Sequence, residues 1–122
     1  MKKLILLVLI VALVLPSIVS AESCCCVTLL EPITAERVKG GVMIRWESVN
    51  EQNIIGYNVL IQRGDKLVKM NKRFIQAEYP GSLYGSTYQY RVKGHRRATF
   101  WLEVISLDSE SELWRVERLK KP

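Results

Sequence analysis

The chain has 122 residues, which is enough for one domain and excludes a multidomain arrangement. Hydrophobic residues make up 48% of it, an ordinary share for a globular chain, and the formal net charge is +6. The sequence contains no internal repeat and no low-complexity tract, which excludes a repeat array.

The first 21 residues have the pattern of a secretory signal peptide. A basic start at Lys2 and Lys3 precedes residues 4–15, which are all apolar, and small residues end the segment at Ala21. An uncleaved membrane anchor is the alternative, although Pro16 ends the apolar run short of the ~20 residues that a span needs. The sequence therefore predicts a hydrophobic signal helix in residues 1–21 and a mature chain that is secreted or held in the cell envelope.

Three consecutive cysteines, Cys24, Cys25 and Cys26, are the only cysteines in the chain. Neighbouring cysteines rarely bridge one another, and no distant partner exists for a disulfide within the domain. Three interpretations stay open: disulfides between chains, lipidation, or no role. Ala21 to Cys24 partly resembles a lipoprotein cleavage box, without the usual leucine three residues before the cysteine. We take residues 22–26 as a cysteine-bearing tail and residues 27–122 as the folded domain.

Apolar residues alternate with polar ones along most of the domain, which is typical of half-buried strands. The pattern is clearest at Val42, Ile44 and Trp46, and again at Tyr57 and Val59. The predicted strands are residues 27–38, 42–47, 55–63, 67–70, 87–92, 98–107 and 112–119. Seven short strands joined by turns, with no helical periodicity after the signal, predict an all-β two-sheet sandwich.

A long connection, residues 71–86, separates the fourth and fifth predicted strands. Its two adjacent apolar residues, Phe74 and Ile75, are predicted to plug into the core. Pro32 is predicted to split the first strand, because it lacks a backbone donor for a ladder partner.

Two stretches carry a resemblance to a known family. They are V-M-I-R-W-E-S at residues 42–48 and N-E-Q-N-I-I-G-Y-N-V at residues 50–59. They resemble bacterial secreted fibronectin type III-like domains, which commonly read V-x-L-x-W-E-T-A-S-E-x-N-N-x-G-F-x-V. The resemblance extends from residue 27 to about residue 114. It is specific for the fold, an immunoglobulin-like β-sandwich, and weak for function, because such domains are mostly spacers and binding modules.

The resemblance implies which strands share a sheet. The strands near residues 27–38, 42–47 and 87–92 would form one sheet, and those near 55–63, 67–70, 98–107 and 112–119 the other. Trp46 would then pack centrally against Tyr57 and Phe100, which serve as core markers. Two departures from the family pattern are Ala98 at the position of a corner tyrosine and Ser109 at a common glycine.

No residue pattern predicts catalysis. His95 is the only histidine, and nothing marks a nucleophile beside it. Glu47 and Glu51 flank a polar connection in which the pattern indicates no cleft for an acid–base pair. The sequence contains no glycine-rich phosphate loop and no metal-ligand spacing. We therefore expect no enzyme activity, catalytic residue, metal or cofactor.

The alternation leaves several apolar residues facing outward on the second sheet. They form a predicted contact face for a protein partner or a second copy: Leu60, Trp101, Ile105 and Leu113. The alternative is an isolated tryptophan shielded by long polar side chains.

Basic residues concentrate in the middle of the chain, and the turn residues Lys93, Arg96 and Arg97 form a predicted anion-binding surface. Acidic polysaccharide or a membrane surface are the partners this charge would attract, and a solvated surface is the alternative. Nucleic acid is not expected, since no stacking aromatics accompany the basic residues. The predicted function is a non-catalytic extracellular or cell-surface binding module. A membrane-tethered lipoprotein and a subunit of a cross-linked fibre are the alternatives.

Overall fold

A computed structural model describes residues 29–119 of the chain. Within them all regular structure is β-strand, in nine strands: β1 (Leu29–Val38), β2 (Gly41–Ser48), β3 (Ile54–Arg63), β4 (Lys66–Lys69), β5 (Ile75–Gln76), β6 (Thr87–Lys93), β7 (Phe100–Ser106), β8 (Ser111–Arg115) and β9 (Glu117–Arg118). The prediction of an all-β domain is confirmed over this range. The predicted signal helix lies outside the described residues. No helix capable of crossing a bilayer was found among residues 29–119.

The strands form two sheets. One has the order β6-β2-β1-β9, and the other has the order β4-β3-β7-β8, with β5 also paired to β3. The predicted sheet membership is confirmed for the first six of the seven predicted strands. The last prediction, a single strand over residues 112–119, is wrong. The chain crosses at buried Val116 from β8 in the second sheet to β9, which pairs in parallel with β1 in the first.

The core lies between the two sheets and is built around aromatic side chains. Trp46, Tyr57 and Phe100 are each at most 2% exposed, which confirms them as core residues. The Trp46 ring lies 5.4 Å from Tyr57 in an edge-to-face arrangement and stacks on Tyr88 at the same distance. Such pairs stabilise a fold by roughly 0.5–1.5 kcal/mol beyond the burial of apolar area.

The predicted core plug is half right. Ile75 packs against the core, but Phe74 is 40% exposed and lies over Gly56. Gly56 precedes the inward-facing Tyr57 on β3 and therefore faces outward. A Cβ atom on Gly56 would sit 2.4 Å from the Phe74 ring, so the missing side chain makes room for the ring on the outer face. The placement of Phe74 in the core is thus wrong.

The sandwich has two ends of different composition. The amino end, where β1 begins beside Ser48, consists of loops 49–53, 77–86 and 107–110. The far end consists of turns 39–40, 63–66 and 93–99. Hydrogen bonds join the segments at each end, from the Leu107 N–H to the Asn53 carbonyl at 3.2 Å and from the Gly94 N–H to the Gly40 carbonyl at 3.0 Å.

Candidate contact surfaces

The predicted contact face lies on the outer side of the five-stranded sheet. Leu60 pairs across the strands with Trp101, and Ile105 and Leu113 follow on β7 and β8. Leu60 is only 7% exposed, because β3 is a central strand and its outer neighbours cover it. Trp101 and Ile105 are half-buried and Leu113 is exposed. The accessible part of this face is therefore Trp101, Ile105 and Leu113, with Leu60 as its floor.

A chain of polar side chains crosses the same face. The Asn58 amide donates to a Glu103 carboxylate oxygen at 2.8 Å, and the Asn71 amide donates to the Asn58 carbonyl oxygen at 2.8 Å. The Asn71 side-chain oxygen accepts the Val59 N–H at 2.8 Å. Buried amides satisfied in this way fix the segment before β5 against the sheet. The sequence pattern does not indicate a role for these asparagines, since their partners are distant in the chain.

The far end gathers the predicted anion-binding residues with further cations. Its exposed charged side chains are Lys39, Arg63, Asp65, Lys66, Lys93, Arg96 and Arg97. Only one of these seven is acidic, so the three turns form a strongly positive surface. Because the strands that these turns connect are antiparallel, all three turns lie at the same end of the sandwich. Their separate positions in the sequence do not reveal this.

Hydrogen bonds to the backbone hold these turns in place. The Arg37 Nε donates to the Arg96 carbonyl at 3.2 Å, and the Arg91 guanidinium donates to the Lys39 carbonyl. These bonds order the backbone of the turns while leaving the side chains of Arg96 and Lys39 in solvent.

A cleft of about 750 Å³ opens next to the far end, where the chain crosses from β8 to β9. Arg97, Arg115 and Arg118 line it together with Glu31 and Glu117. Among residues 29–119 the one ion pair joins Arg45 to Glu36, so none of the three arginines pairs with an acid there. The Arg118 guanidinium donates to the Ala98 carbonyl at 2.5 Å. Arginine guanidinium groups suit carboxylate and sulfate oxygens.

The amino end contains a fully buried carboxylate, Glu51. The Tyr88 hydroxyl donates to it at 2.6 Å and the buried Tyr57 hydroxyl at 3.4 Å. Burial, followed by the hydrogen bond to Glu51, raises the pKa of Tyr88 to about 12, and burial raises the pKa of Tyr57 far above its usual value. Both phenols therefore keep their protons at any ordinary pH and remain hydrogen-bond donors.

Glu51 also fixes the long loop at this end through its backbone. Its N–H donates to the Ser82 carbonyl at 3.0 Å, and its carbonyl accepts the Gly81 N–H at 2.8 Å. A second pair of bonds joins Ser48 and Ser86 at 2.9 Å. Glu51 thus has an anchoring role. Glu47, considered beside it in the sequence, is an exposed strand residue.

The anchored loop displays apolar side chains that the alternating pattern of the strands does not predict. Leu83 is 75% exposed and Tyr84 is 72% exposed, and the Tyr84 ring lies 5.9 Å from that of Tyr79. Val49 and Leu107 on the neighbouring loops are exposed as well. The sequence signal was present in Y-P-G-S-L-Y-G, where the apolar pair Leu83-Tyr84 is set among turn residues, but a loop conformation cannot be derived from periodicity.

The cysteines Cys24, Cys25 and Cys26 lie outside the described residues, as do the predicted signal peptide and cleavage site. Within residues 29–119, no cluster of three or more histidine, cysteine, aspartate or glutamate side chains has a spacing suited to a metal ion.

Comparison of the chain with protein-family models, with curated proteins and with solved structures found no match. The functional interpretation therefore depends on the surfaces described above.

Proposed function

We propose that the chain is an exported, non-catalytic binding module whose far end binds an acidic polysaccharide. In this proposal the domain has the fibronectin type III-like fold, and its amino end is tethered or cross-linked through Cys24, Cys25 and Cys26. The order of the β-strands in the two sheets supports the fold assignment. The leader-like residues 1–21 support export.

The clustering of cations at the far end is the observation that carries the proposal. Six cationic side chains and one acid occupy the three turns there. The amino-end loops contain no lysine or arginine, and their acids are Glu51, Glu78, Asp108 and Glu110. Since β1 has 10 residues, roughly 30 Å separate the two ends. A module tethered at its amino end would hold its positive surface away from the tether.

Charge of this kind fits an extended polyanion better than a small ligand. Clustered charges of one sign create a potential of several kT that attracts an oppositely charged polymer. Carboxylate or sulfate groups of a polysaccharide would pair with exposed arginines and with the arginine-lined cleft. Exposed pairs are individually weak, so affinity would come from several contacts and would fall with added salt.

The test is binding of the full-length chain to immobilised polygalacturonate at low salt. The double substitution Arg96→Glu with Arg97→Glu should weaken binding by at least about tenfold, because two attractions become repulsions. Lys72→Glu with Arg73→Glu is the matched control, since it changes the net charge equally on an exposed segment outside the far end. Near 1 M salt, where screening acts within ~3 Å, wild-type binding should be lost.

Equal weakening in the two double variants would show that net charge alone attracts the polymer and would refute a far-end site. Failure of the wild-type chain to bind would refute the polysaccharide proposal altogether.

A second candidate function is self-association through the outer face of the five-stranded sheet. Exposed Phe74 and Leu113 lie on the same outer face as the half-buried Trp101 and Ile105, which are on either side of the polar Asn58–Glu103 pair. Trp101→Ser should shift the full-length chain toward monomer in sedimentation velocity while leaving it folded. Phe74 is more exposed than Trp101, so Phe74→Ser should weaken the contact between chains without affecting folding. An unchanged sedimentation coefficient in both variants would refute this candidate.

A further inference from the structure

The loops of the amino end, which are joined by backbone hydrogen bonds, display five exposed apolar side chains. They are Val49, Tyr79, Leu83, Tyr84 and Leu107, and the rings of Tyr79 and Tyr84 lie 5.9 Å apart. Exposed apolar side chains gathered at one end of a domain indicate a contact site. These residues lie at the opposite end of the sandwich from the cationic turns and are not among the side chains of the proposed outer-face contact, so the proposed binding surfaces leave them without a role.

The chain enters the domain at this same end. β1 begins at Leu29, which pairs with Ser48 next to the exposed Val49. Cys24 is five residues earlier in the sequence, a reach of at most about 17 Å. The apolar run of residues 4–15 ends 14 residues before Leu29, a reach of at most about 50 Å. A lipid on Cys24, or retention of the apolar run, would therefore hold the amino end close to a bilayer.

The chemistry of the amino end suits a lipid interface. Tyrosine and leucine place apolar surface among acyl chains while the phenol hydroxyl stays near the headgroups. The loop that displays Leu83 and Tyr84 is already fixed by Glu51, so contact would require little further ordering. The nearby acids Glu78, Asp108 and Glu110, with no cation in the same loops, favour an uncharged headgroup surface over an anionic one.

We propose that the amino end of the sandwich docks on a zwitterionic lipid bilayer through Leu83 and Tyr84. This inference rests on the tether of the proposed function and is independent of what the far end binds. A domain docked in this way has its long axis perpendicular to the bilayer, with the basic turns of the far end pointing away from the lipid.

The experiment uses the full-length chain reconstituted into phosphatidylcholine vesicles that contain brominated acyl chains, which quench tryptophan at short range. Leu83→Trp places a reporter at the amino end, and Leu113→Trp places a matched reporter on the outer sheet face. Both leucines are exposed, so neither substitution disturbs the core. The added emission of Leu83→Trp should be lost in brominated vesicles, and that of Leu113→Trp should be retained. Anionic phosphatidylglycerol in the vesicles should reduce the quenching in Leu83→Trp.

Equal quenching of the two reporters, no quenching of either, or failure of the chain to associate with vesicles would overturn the docking proposal. Self-association that Leu83→Ser abolishes, without lipid quenching, would assign the amino end to a second copy and overturn it as well. The polygalacturonate assay contains no lipid. Its failure would refute the polysaccharide function and leave the lipid contact standing, whereas loss of quenching alone would refute the lipid contact.

Discussion

Replacing Glu51 with alanine should destabilise the domain far more than replacing an exposed acidic residue with alanine would. The substitution leaves the buried Tyr57 hydroxyl and the half-buried Tyr88 hydroxyl without their acceptor. A buried donor left unsatisfied costs about 1–3 kcal/mol, and each lost buried methylene costs about 0.8 kcal/mol. We expect a loss of about 2–4 kcal/mol, against a total stability of roughly 5–15 kcal/mol for a small domain.

Urea unfolding followed by tryptophan fluorescence measures this loss, with Glu47→Ala as the matched control. Glu47 is the same residue type four positions earlier, but it is exposed on β2, so its removal should change stability by less than about 0.5 kcal/mol. Hydrogen exchange should also quicken in loop 77–86 of the Glu51 variant, because the anchored backbone bonds open more readily. Similar unfolding midpoints for the two variants would contradict the anchoring role of Glu51.

Three further outcomes follow from named residues. Burial raises the pKa of Tyr88 to about 12 in the fold, against 10.0 for the free side chain, and it also raises the pKa of Tyr57. Stability should therefore be complete below pH 10 and should fall in urea titrations as the pH rises toward 12, by up to about 1.4 kcal/mol per pH unit for the buried Tyr57 and by less for the half-buried Tyr88. Ser109→Gly should raise stability by about 0.5–1 kcal/mol in thermal unfolding, since Ser109 has a left-handed φ of 66°; an unchanged midpoint would contradict this. Gly56→Ala should lower stability by about 1–3 kcal/mol in urea, because the new Cβ would overlap the Phe74 ring; a neutral result would contradict the close packing.

The strands were accessible from the sequence because the inner face of each sheet follows a period of two, whereas their grouping into two sheets was implied by the family resemblance. Trp46 and Tyr57 occupy inward positions on strands that face each other, and the structure buries both. The same rule failed at the end of the chain. Val116 is buried at a crossing between sheets, where a single alternating strand over residues 112–119 had been predicted.

The positions of the apolar loop residues Phe74 and Leu83, and of the buried Glu51, could not be predicted from the sequence in the same way. Periodicity assigns a face only within a strand, so it gave no position to Leu83, and the core position predicted for Phe74 had no strand pattern behind it and is wrong. Leu60 was assigned correctly to the outer face, but its burial depends on neighbours from other strands. Glutamate is usually exposed, so the sequence alone does not predict that Glu51 is buried. The hydrogen bonds from Tyr57 on β3 and Tyr88 on β6 offset the cost of burying it.

The proposed lipid contact and the proposed polysaccharide-binding surface lie at opposite ends of the domain, and this arrangement has a physical consequence. If the amino end contacts lipid, the far-end cations stand roughly 30 Å from the headgroups, which is several times the Debye length of ~8 Å at physiological ionic strength. Lipid charge would then have little influence on polysaccharide binding, so the two contacts can be made at once. Glu51 connects them mechanically, because it fixes the lipid-facing loop to Tyr57 and Tyr88 in the rigid core. A Glu51→Ala variant should bind polysaccharide at its far end with unchanged affinity. Its amino-end loop should no longer be held at one depth in the bilayer.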